Sequence, residues 1–325
     1  MAEEQQHSFE KGHGKADSEI PVSVVMRSYN DAPLLPRTLE ALDAQEGVAV
    51  ELLVFESAST DDSVAIFESH GFEKMVQLEP GSYWSSKVLN EGVRHARHEV
   101  VVFLNSDAIL TSPQVLHGMA SRLLASEKTA GVFARQLPRP DAGFMTRLEF
   151  KYAFDQRESM KEEAEWLSLV CSAVRRSVWR KEAFDERITY AEDAVWTAAV
   201  KALGFEIAYV PGVAAEHSHE YTWTQRYDRS FNDAVALGLI AKSDPSSSWL
   251  GGFLLPWIKR SLRYGLRSCL AGKPWMAPFV FSYQYPLIDG QRKGAALGWR
   301  HFSNPDTRDQ LQPLSRNGQL KTTAS

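Results

Sequence analysis

The sequence of 325 residues predicts an α/β fold, in which helices flank a mostly parallel sheet. Short apolar runs typical of buried strands alternate with segments whose apolar residues recur at helical spacing. Such alternation favours right-handed crossovers and parallel pairing. Polar clusters also follow three of the apolar runs, at residues 27–31, 56–62 and 105–107. In an open α/β sheet the ligand binds at that edge, beyond the carboxyl ends of the strands.

The predicted elements alternate most regularly in the first third of the chain. Strands are predicted at residues 21–26, 50–55, 75–78 and 100–104, with helices at about 34–42, 63–69 and 85–96 between them. Beyond residue 107 the alternation is looser, and the pattern predicts strands at 129–135 and 205–210 and helices at 144–165, 175–183, 190–203 and 224–242.

The chain divides into four predicted regions. Residues 1–20 are polar and lack periodicity, which is typical of a disordered tail. A single α/β domain is predicted at 21–245, ending in the Ser- and Pro-rich run 243–248. Residues 246–303 form a basic, aromatic-rich helical extension, and 304–325 a second disordered tail.

The composition excludes several classes of protein. There are 36 Lys and Arg against 41 Asp and Glu, a net charge of −5, and 44% of the residues are hydrophobic. This is a globular composition, not that of a disordered chain, a collagen or a disulfide scaffold. The negative total also argues against a dedicated nucleic-acid binder. The charge is unevenly spread, because residues 251–325 carry +8 and the first 250 residues −13.

The cysteines and the apolar segments indicate the compartment. Cys171 and Cys269 are too far apart in sequence for a metal-type pair, so we expect two reduced thiols. The N-terminus lacks the apolar segment of a secretion signal, and no run reaches the roughly 18 apolar residues of a spanning helix. We therefore expect a cytoplasmic protein, either free or peripheral on the inner face of the cell membrane.

Asn105-Ser106-Asp107 follows the clearest strand and is the strongest candidate site. A carboxylate beyond the sheet is well placed to bind Mg²⁺ or Mn²⁺, which bind through one or two carboxylates together with substrate phosphates. The alternative is a helix cap, since Asp often precedes a helix.

Two further segments carry candidate residues. Glu192-Asp193 opens a predicted helix, where a carboxylate can act as a general base or simply favour the helix dipole. His217 and His219 follow a strand, whose continuation would point their rings to opposite faces, so that one binds metal while the other packs. Zinc is not expected, because no cluster of ligands has its spacing.

One helix face offers possible contacts to a phosphate or ribose. Lys87, Asn90 and Arg94 fall on the same side of the predicted helix, although a solvated face is the alternative. Three common nucleotide or hydrolase motifs are missing: Gly-x-Gly-x-x-Gly, the Walker loop and Gly-x-Ser-x-Gly. A phosphate ligand would therefore be held by a metal or by basic side chains.

The order of these motifs carries a family resemblance. Along the chain come VSVVMRSYND, FESASTDDS, YWSSKVLNEGVRHA and VVVFLNSDA, followed by ARQLPRPD, SAVRRSVW, FDERITYAEDAVW and YVPGVAAEHSHEY. Together they resemble the family-2 glycosyltransferases of the GT-A fold, and in particular the bacterial rhamnosyltransferase branch. The resemblance covers about residues 21–240.

The resemblance implies a role for each matching residue. Arg27, Tyr29 and Asn30 would line the nucleotide pocket, and Glu56 stands where the family usually has an Asp that holds the nucleobase or ribose. Asn105-Ser106-Asp107 matches the Asp-x-Asp element, with Asp107 as the metal ligand and an uncharged Asn in the first position. Asp193 matches the catalytic base, with Glu192 beside it, and His217 or His219 would complete the metal site.

The implied activity is inverting sugar transfer, assisted by Mn²⁺ or Mg²⁺. The donor would be a nucleotide-diphosphate sugar, for which the rhamnosyl branch points to deoxythymidine diphosphate, and the acceptor a saccharide or glycolipid hydroxyl. Two other hypotheses are a nucleotidyltransferase, whose usual Gly-rich basic loop is missing, and a non-catalytic sugar-nucleotide-binding or membrane scaffold protein, which Asn105 favours.

Residues 249–288 mix Trp, Phe and Leu with Lys and Arg. Leucine or isoleucine recurs every fourth residue from Leu254 to Leu270, with a basic flank that begins at Lys259. Such a helix can lie in a membrane interface, or it can pack on the catalytic domain with its cations in water. Both interpretations follow from the same pattern.

Overall fold

A computed structural model describes residues 19–154, 164–242 and 249–309. In chain order its strands are β1 (Ile20–Ser28), β2 (Val48–Glu56), β3 (Lys74–Gln77), β4 (Val100–Asn105), β5 (Ile109–Leu110), β6 (Thr129–Leu137), β7 (Cys171–Arg175) and β8 (Glu206–Glu216). They form one sheet in the order β3-β2-β1-β4-β7-β6-β8-β5. Strands β1 to β4 pair in parallel, as does β6 with β8, whereas β7 runs antiparallel to both its neighbours. The predicted mostly parallel sheet is confirmed.

Helices cover both faces of this sheet and then form a C-terminal region. They are α1 (Leu35–Asp43), α2 (Ser63–His70), α3 (Ser85–His95), α4 (Val115–Leu124), α5 (Phe144–Phe154), α6 (Arg176–Trp179), α7 (Glu192–Ala202), α8 (Trp223–Leu237), α9 (Leu255–Leu270) and α10 (Ala277–Ser303). No helix among the described residues is both long enough and apolar enough to span a membrane.

The central strands are buried on both faces because their side chains alternate between two apolar layers. Val24 on β1 and Val102 on β4 pack with α1, α2 and α4, whereas Val25 and Phe103 pack with α3 and α7 on the other side. This arrangement fixes the register of β1 against β4. As a result Arg27 lies opposite Asn105 at the carboxyl edge.

The second half of the sheet departs from the sequence prediction. The predicted helix 175–183 is reduced to α6, because residues up to Arg175 extend β7 between β4 and β6. Strand β8 runs to Glu216, beyond the predicted 205–210, since it pairs with β6 and then with β5. Helix α5 ends at Phe154, and the rest of the predicted helix 144–165 lies largely outside the described residues.

The predicted C-terminal helical extension is present as α9 and α10. Its proposed boundary at 243–248 lies outside the described residues, as do 1–18 and 310–325 of the two predicted tails. Residues 304–309, which the pattern assigns to the second tail, form turns, and Arg187 Nη1 lies 3.5 Å from Asp309 Oδ1. Helix α10 packs along α8, which begins at a capping box formed by Thr222 and Gln225.

Candidate active site

Arg27 joins the segments that follow the central strands. Its guanidinium donates to Asn105 Oδ1 over 2.8 Å and to Ser85 Oγ over 3.1 Å. Arg27 Nη1 also lies 3.9 Å from Oε1 of Glu192, and both side chains are largely buried. One cation therefore holds the end of β4 next to the start of α7.

Ser106 and Asp31 connect the end of β4 with the loop after β1. Ser106 Oγ lies 2.8 Å from the carbonyl oxygen of Arg27 and hydrogen-bonds the Asp31 carboxylate. Burial raises the pKa of Asp31, and the nearby negative charge of Asp107 adds to the increase. Asp31 thus lies close to Asp107, the predicted metal ligand, and the sequence motifs did not indicate this position.

Asp107, His217 and His219 form a compact cluster beyond the strand ends. His217 Nε2 lies 3.5 Å from Asp107 Oδ1, His219 Nε2 lies 3.3 Å from Asp107 Oδ2, and the two Nε2 atoms are 3.1 Å apart. In an octahedral site with bonds of about 2.1 Å, neighbouring ligand atoms lie about 3 Å apart. The three side chains therefore have a spacing that suits one shared divalent ion.

The protonation of the two histidines also suits a metal. Burial lowers the pKa of His217 to about 4 and lowers that of His219 as well, so both imidazoles are neutral near pH 7, as metal ligands must be. Nitrogen ligands favour a transition-metal ion over Mg²⁺, which prefers oxygen. The fold gathers these three ligands from segments that are distant in the chain, and the expectation that the ion is not zinc stays a prediction.

The two histidine rings converge, contrary to the expectation of opposite faces. Strand β8 ends at Glu216, so the alternation of a strand no longer applies to the residues after it. His217 N–H still donates to the Leu137 carbonyl oxygen over 2.9 Å, and the residues that follow are irregular. The ring centroids of His217 and His219 are consequently only 4.7 Å apart.

Arg139 holds the parts of this cluster together. Its Nη2 donates to Asp107 Oδ2 over 2.8 Å and to the Asp107 carbonyl oxygen over 2.9 Å, and its Nη1 donates to the Ser218 carbonyl oxygen over 2.7 Å. Arg139 belongs to the ARQLPRPD motif, but the motif alone does not indicate this role. The alternative of a helix cap for Asp107 is excluded, since β5 follows it and α4 begins only at Val115.

Glu192 and Asp193 form the first turn of α7. Ala191 before them has a left-handed backbone (φ 49°), which is uncommon for a residue other than glycine and is typical of functional sites. Asp193 Oδ1 accepts the N–H of Ala194 over 2.8 Å. Burial raises the pKa of Asp193 to about 7, and the charge of Glu192 contributes to the increase.

Arg229 and Asp233 on α8 extend the site in a way that the sequence analysis missed. Arg229 Nη1 donates to Tyr221 Oη over 2.6 Å. Its charge acts on Asp193 and on both cluster histidines, so Arg229 lies near both groups. Burial raises the pKa of Asp233 to about 6 despite the opposing effect of Arg229. The signal available in the sequence was the i, i+4 spacing of Arg229 and Asp233 on one helix.

Two predicted donor-binding residues, Asn90 and Lys87, lie on α3. Asn90 is buried, and its amide is fully engaged: it donates to the Phe184 carbonyl oxygen and Glu186, and accepts from Phe184 N–H and Trp179 Nε1. Asn90 therefore holds the loop of Phe184 and Glu186 and has no free polar atom for a nucleotide-sugar donor. Lys87 is exposed and lies over the Trp84 ring, 5.5 Å from its centroid.

The predicted nucleotide-binding residues line the loops after β1 and β2. Glu56 is 2% exposed, and its carboxylate accepts the N–H groups of Ala58 (3.0 Å) and Ser59 (2.6 Å), so it also shapes the loop. Asn30 Oδ1 accepts Thr60 N–H over 2.8 Å and thereby ties the two loops together. Tyr29 is 59% exposed at the surface of the same region.

The family comparison matches this architecture. The model for glycosyltransferase-like family 2 matches residues 20–234, which include the sheet and every candidate residue named above except those of the extension. The chain belongs to glycosyltransferase family 2. The resemblance seen in the ordered motifs is therefore confirmed, and the protein is a glycosyltransferase.

Two curated relatives of this glycosyltransferase come from Salmonella. The O-antigen chain rhamnosyltransferase RfbN of Salmonella typhimurium is 24% identical over 227 residues, which cover 66% of this chain and 72% of that protein. The O-antigen chain rhamnosyltransferase WbaN of Salmonella anatum is 28% identical over 206 residues, or 60% of this chain. The match covers 65% of WbaN, just under two thirds of its length.

Solved structures share the fold at low sequence identity. The mannosyltransferase PcManGT from Pyrobaculum calidifontis, in complex with GDP-Man and Mn²⁺, aligns with a TM-score of 0.54 and 18% identity, covering 87% of this chain and 74% of that one. TarS of S. aureus aligns with a TM-score of 0.50 and 18% identity, covering 85% and 55%. At this identity the likeness shows the GT-A type fold alone.

Proposed function

We propose that this glycosyltransferase moves a deoxyhexose, rhamnose in the first instance, from a nucleotide-diphosphate donor to a hydroxyl of a saccharide or lipid-linked acceptor. The observation that carries the proposal is the pairing of a raised-pKa carboxylate, Asp193, with the Asp107-His217-His219 cluster at one sheet edge. The two rhamnosyltransferase relatives support the choice of sugar. The deoxythymidine-diphosphate donor rests on the family resemblance of the motifs.

The cluster would hold Mn²⁺ through one carboxylate oxygen and two imidazole nitrogens. Bound there, a divalent ion supplies charge stabilisation for the leaving diphosphate. The nitrogen ligands favour Mn²⁺ over Mg²⁺, and PcManGT, with the same fold, is in complex with GDP-Man and Mn²⁺. Arg27, Tyr29, Asn30 and Ser106 are proposed to line the nucleotide pocket, together with Glu56 and Asn105.

Asp193 is proposed to act as the general base of a single displacement. Its carboxylate takes the proton of the acceptor hydroxyl as that oxygen forms a bond to the anomeric carbon. The bond from that carbon to the diphosphate oxygen breaks on the opposite face, so the configuration inverts. The electron pair leaves with the nucleoside diphosphate, and we propose that the positive charge of Arg229 offsets the charge of that leaving group.

The two other hypotheses receive less support. A nucleotidyltransferase would need a basic loop for the attacked phosphate, which the end of β1 lacks. A non-catalytic scaffold would explain Asn105, yet Arg27 already donates to Asn105, and a neutral amide satisfies that contact. The family match makes an enzyme the simpler conclusion.

Donor binding in the presence of Mn²⁺ tests the proposal. We expect dTDP-rhamnose with Mn²⁺ to raise the melting temperature of the protein more than either alone, since a ligand of the native state stabilises it by mass action. Asp107→Ala should weaken donor affinity in Mn²⁺ by about tenfold or more and remove the difference between Mn²⁺ and EDTA. Calorimetric titration measures both.

Glu127→Ala, on the exposed turn before β6, serves as the control and should keep the metal effect. Donor affinity that is equal in Mn²⁺ and EDTA for the wild type would contradict the metal proposal. If another nucleotide sugar bound more tightly than dTDP-rhamnose, the protein would still be assigned as a glycosyltransferase, but its donor sugar would not be rhamnose.

The pKa of Asp193 predicts how the rate depends on pH. A base must be ionised, so nucleotide release should rise with pH, about tenfold per unit below the raised pKa near 7, and level off above it. We do not assign this rise to the histidines, because burial lowers the pKa of His219 and lowers that of His217 to about 4.

Glu192→Gln provides the check on this assignment. Removing the neighbouring negative charge should lower the pKa of Asp193 and move the midpoint of the profile to lower pH. A midpoint that stays in place in Glu192→Gln would assign the titration to another group.

A further inference from the structure

Helix α9 exposes its leucines and buries small polar side chains, which is the reverse of an ordinary surface helix. Its outward row consists of leucines at 255, 262, 266 and 270, which are 56%, 59%, 63% and 77% exposed. The inward face is formed by Ser261, Tyr264, Gly265 and Ser268, which pack toward α10. Leucines that the fold leaves in water on one continuous face indicate an apolar partner outside the chain.

The cations of this segment surround the leucine row. Residues 249–288 contain five basic and no acidic side chains. Lys259 and Arg263 are exposed, and within the described ranges neither forms an ion pair. Arg260 and Arg267, by contrast, are held inside, the first by Gln284 Oε1 at 2.7 Å and the second over the Tyr152 ring.

Aromatic side chains lie exposed at both ends of the same segment. Trp249 is 59% exposed before α9, and Trp275 and Phe279 are 69% and 50% exposed after it. Tryptophan favours the boundary between lipid headgroups and acyl chains, where its ring is buried and its N–H is hydrated. The 16 residues of α9 would span about 24 Å along such a boundary.

We propose that the outer face of α9, with Trp249, Trp275 and Phe279 at its ends, binds the surface of an anionic lipid bilayer. The leucine row would enter the acyl boundary while Lys259 and Arg263 meet the headgroup phosphates. This proposal does not depend on the identity of the sugar or the metal. For a lipid-linked acceptor it would keep the enzyme at the surface that carries its substrate.

A second copy of the chain is a poorer partner for this face. A symmetric dimer would set the same patch against itself and bring Lys259 and Arg263 near their own copies. Since residues 249–288 offer no carboxylate, these charges would face one another unpaired. An anionic membrane offers acyl chains to the leucines and negatively charged headgroups to the cations.

Co-sedimentation of the full-length protein with vesicles tests this proposal. We expect binding to phosphatidylcholine vesicles that contain phosphatidylglycerol to exceed binding to pure phosphatidylcholine by about tenfold or more, and to weaken in 0.5 M salt. Leu262→Gln with Leu266→Gln, and separately Lys259→Gln with Arg263→Gln, should each reduce binding about tenfold. All four side chains are exposed, so the melting temperature should not change.

Matched controls come from elsewhere on the surface. Leu203→Gln removes a leucine that is 55% exposed, and Lys128→Gln with Arg180→Gln removes two exposed cations, so neither should alter vesicle binding. Equal binding to neutral and anionic vesicles, or none, would overturn the proposal. So would sedimentation equilibrium that shows a dimer dissociated by the leucine variants.

Discussion

Replacing Asp193 with Asn is expected to reduce sugar transfer by about 10²- to 10⁴-fold while donor affinity stays within about threefold of the wild type. Asparagine has the shape of aspartate, and its Oδ1 can still accept the Ala194 N–H that Asp193 accepts at 2.8 Å. The variant loses the negative charge of the carboxylate and, with it, the capacity to take a proton. Initial rates of nucleotide release, with and without acceptor, measure the effect.

The fold of this variant should be intact, because the substitution also relieves an unfavourable interaction. Burial and Glu192 raise the pKa of Asp193, which means that its charged form is destabilised in the native state. Above pH 7 a neutral amide should therefore stabilise the protein slightly, and a melting curve would show it. A fall in activity together with a lower melting temperature would instead indicate misfolding.

A matched control is Asp43→Asn. Asp43 ends α1 and contacts His70 Nε2 at 3.0 Å, far from the carboxyl edge of the sheet, so its loss should leave transfer unchanged. Turnover of Asp193→Asn within tenfold of the wild type would contradict the assignment of Asp193 as base. If donor affinity fell together with the rate, Asp193 would instead be assigned to donor binding.

The parts of the site that were predictable from sequence follow buried strands directly. Arg27 and Asn105 end runs whose residues are apolar on both faces, so their position at the sheet edge follows from strand geometry. Glu192 and Asp193 were recognisable as the start of a helix. These residues are local in sequence, and local patterns determine where their elements end.

The remaining parts depend on contacts between distant segments. Arg139 bridges Asp107 and Ser218, and no local pattern indicates that these loops meet. The convergence of His217 and His219 depends on where β8 ends, and that end is set by pairing with β6 and β5. For α9, periodicity identified an apolar face, but only the packing of α10 shows that the leucines lie outside.

Helix α10 packs so closely against α8 that three of its positions leave no room for a side chain. Gly290, Gly294 and Gly298 follow one another at four-residue intervals on the face toward α8. A Cβ at Gly294 would overlap the carbonyl oxygen of Phe231, and one at Gly290 would come within 2.7 Å of the Tyr227 carbonyl oxygen. Those atoms belong to helix backbone, which cannot rotate away as a side chain can.

Gly294→Ala is therefore expected to destabilise the protein, measured as a lower midpoint of urea unfolding. In an open helix the change would stabilise by about 0.5–1 kcal/mol, because alanine loses less backbone entropy on folding. Overpacking costs about 1–3 kcal/mol, or more against rigid backbone, and so outweighs that gain.

Gly265→Ala on α9 is the matched control, since its Cβ would meet Ala277 Cβ at an ordinary 3.6 Å. That change should be neutral or stabilising. Because α8 also carries Arg229 and Asp233, we expect Gly294→Ala to lower the transfer rate as well, and Gly265→Ala to leave it unaltered. A stabilised Gly294→Ala protein would mean that α10 packs less closely on α8. The C-terminal extension would then not be expected to affect the positions of Arg229 and Asp233.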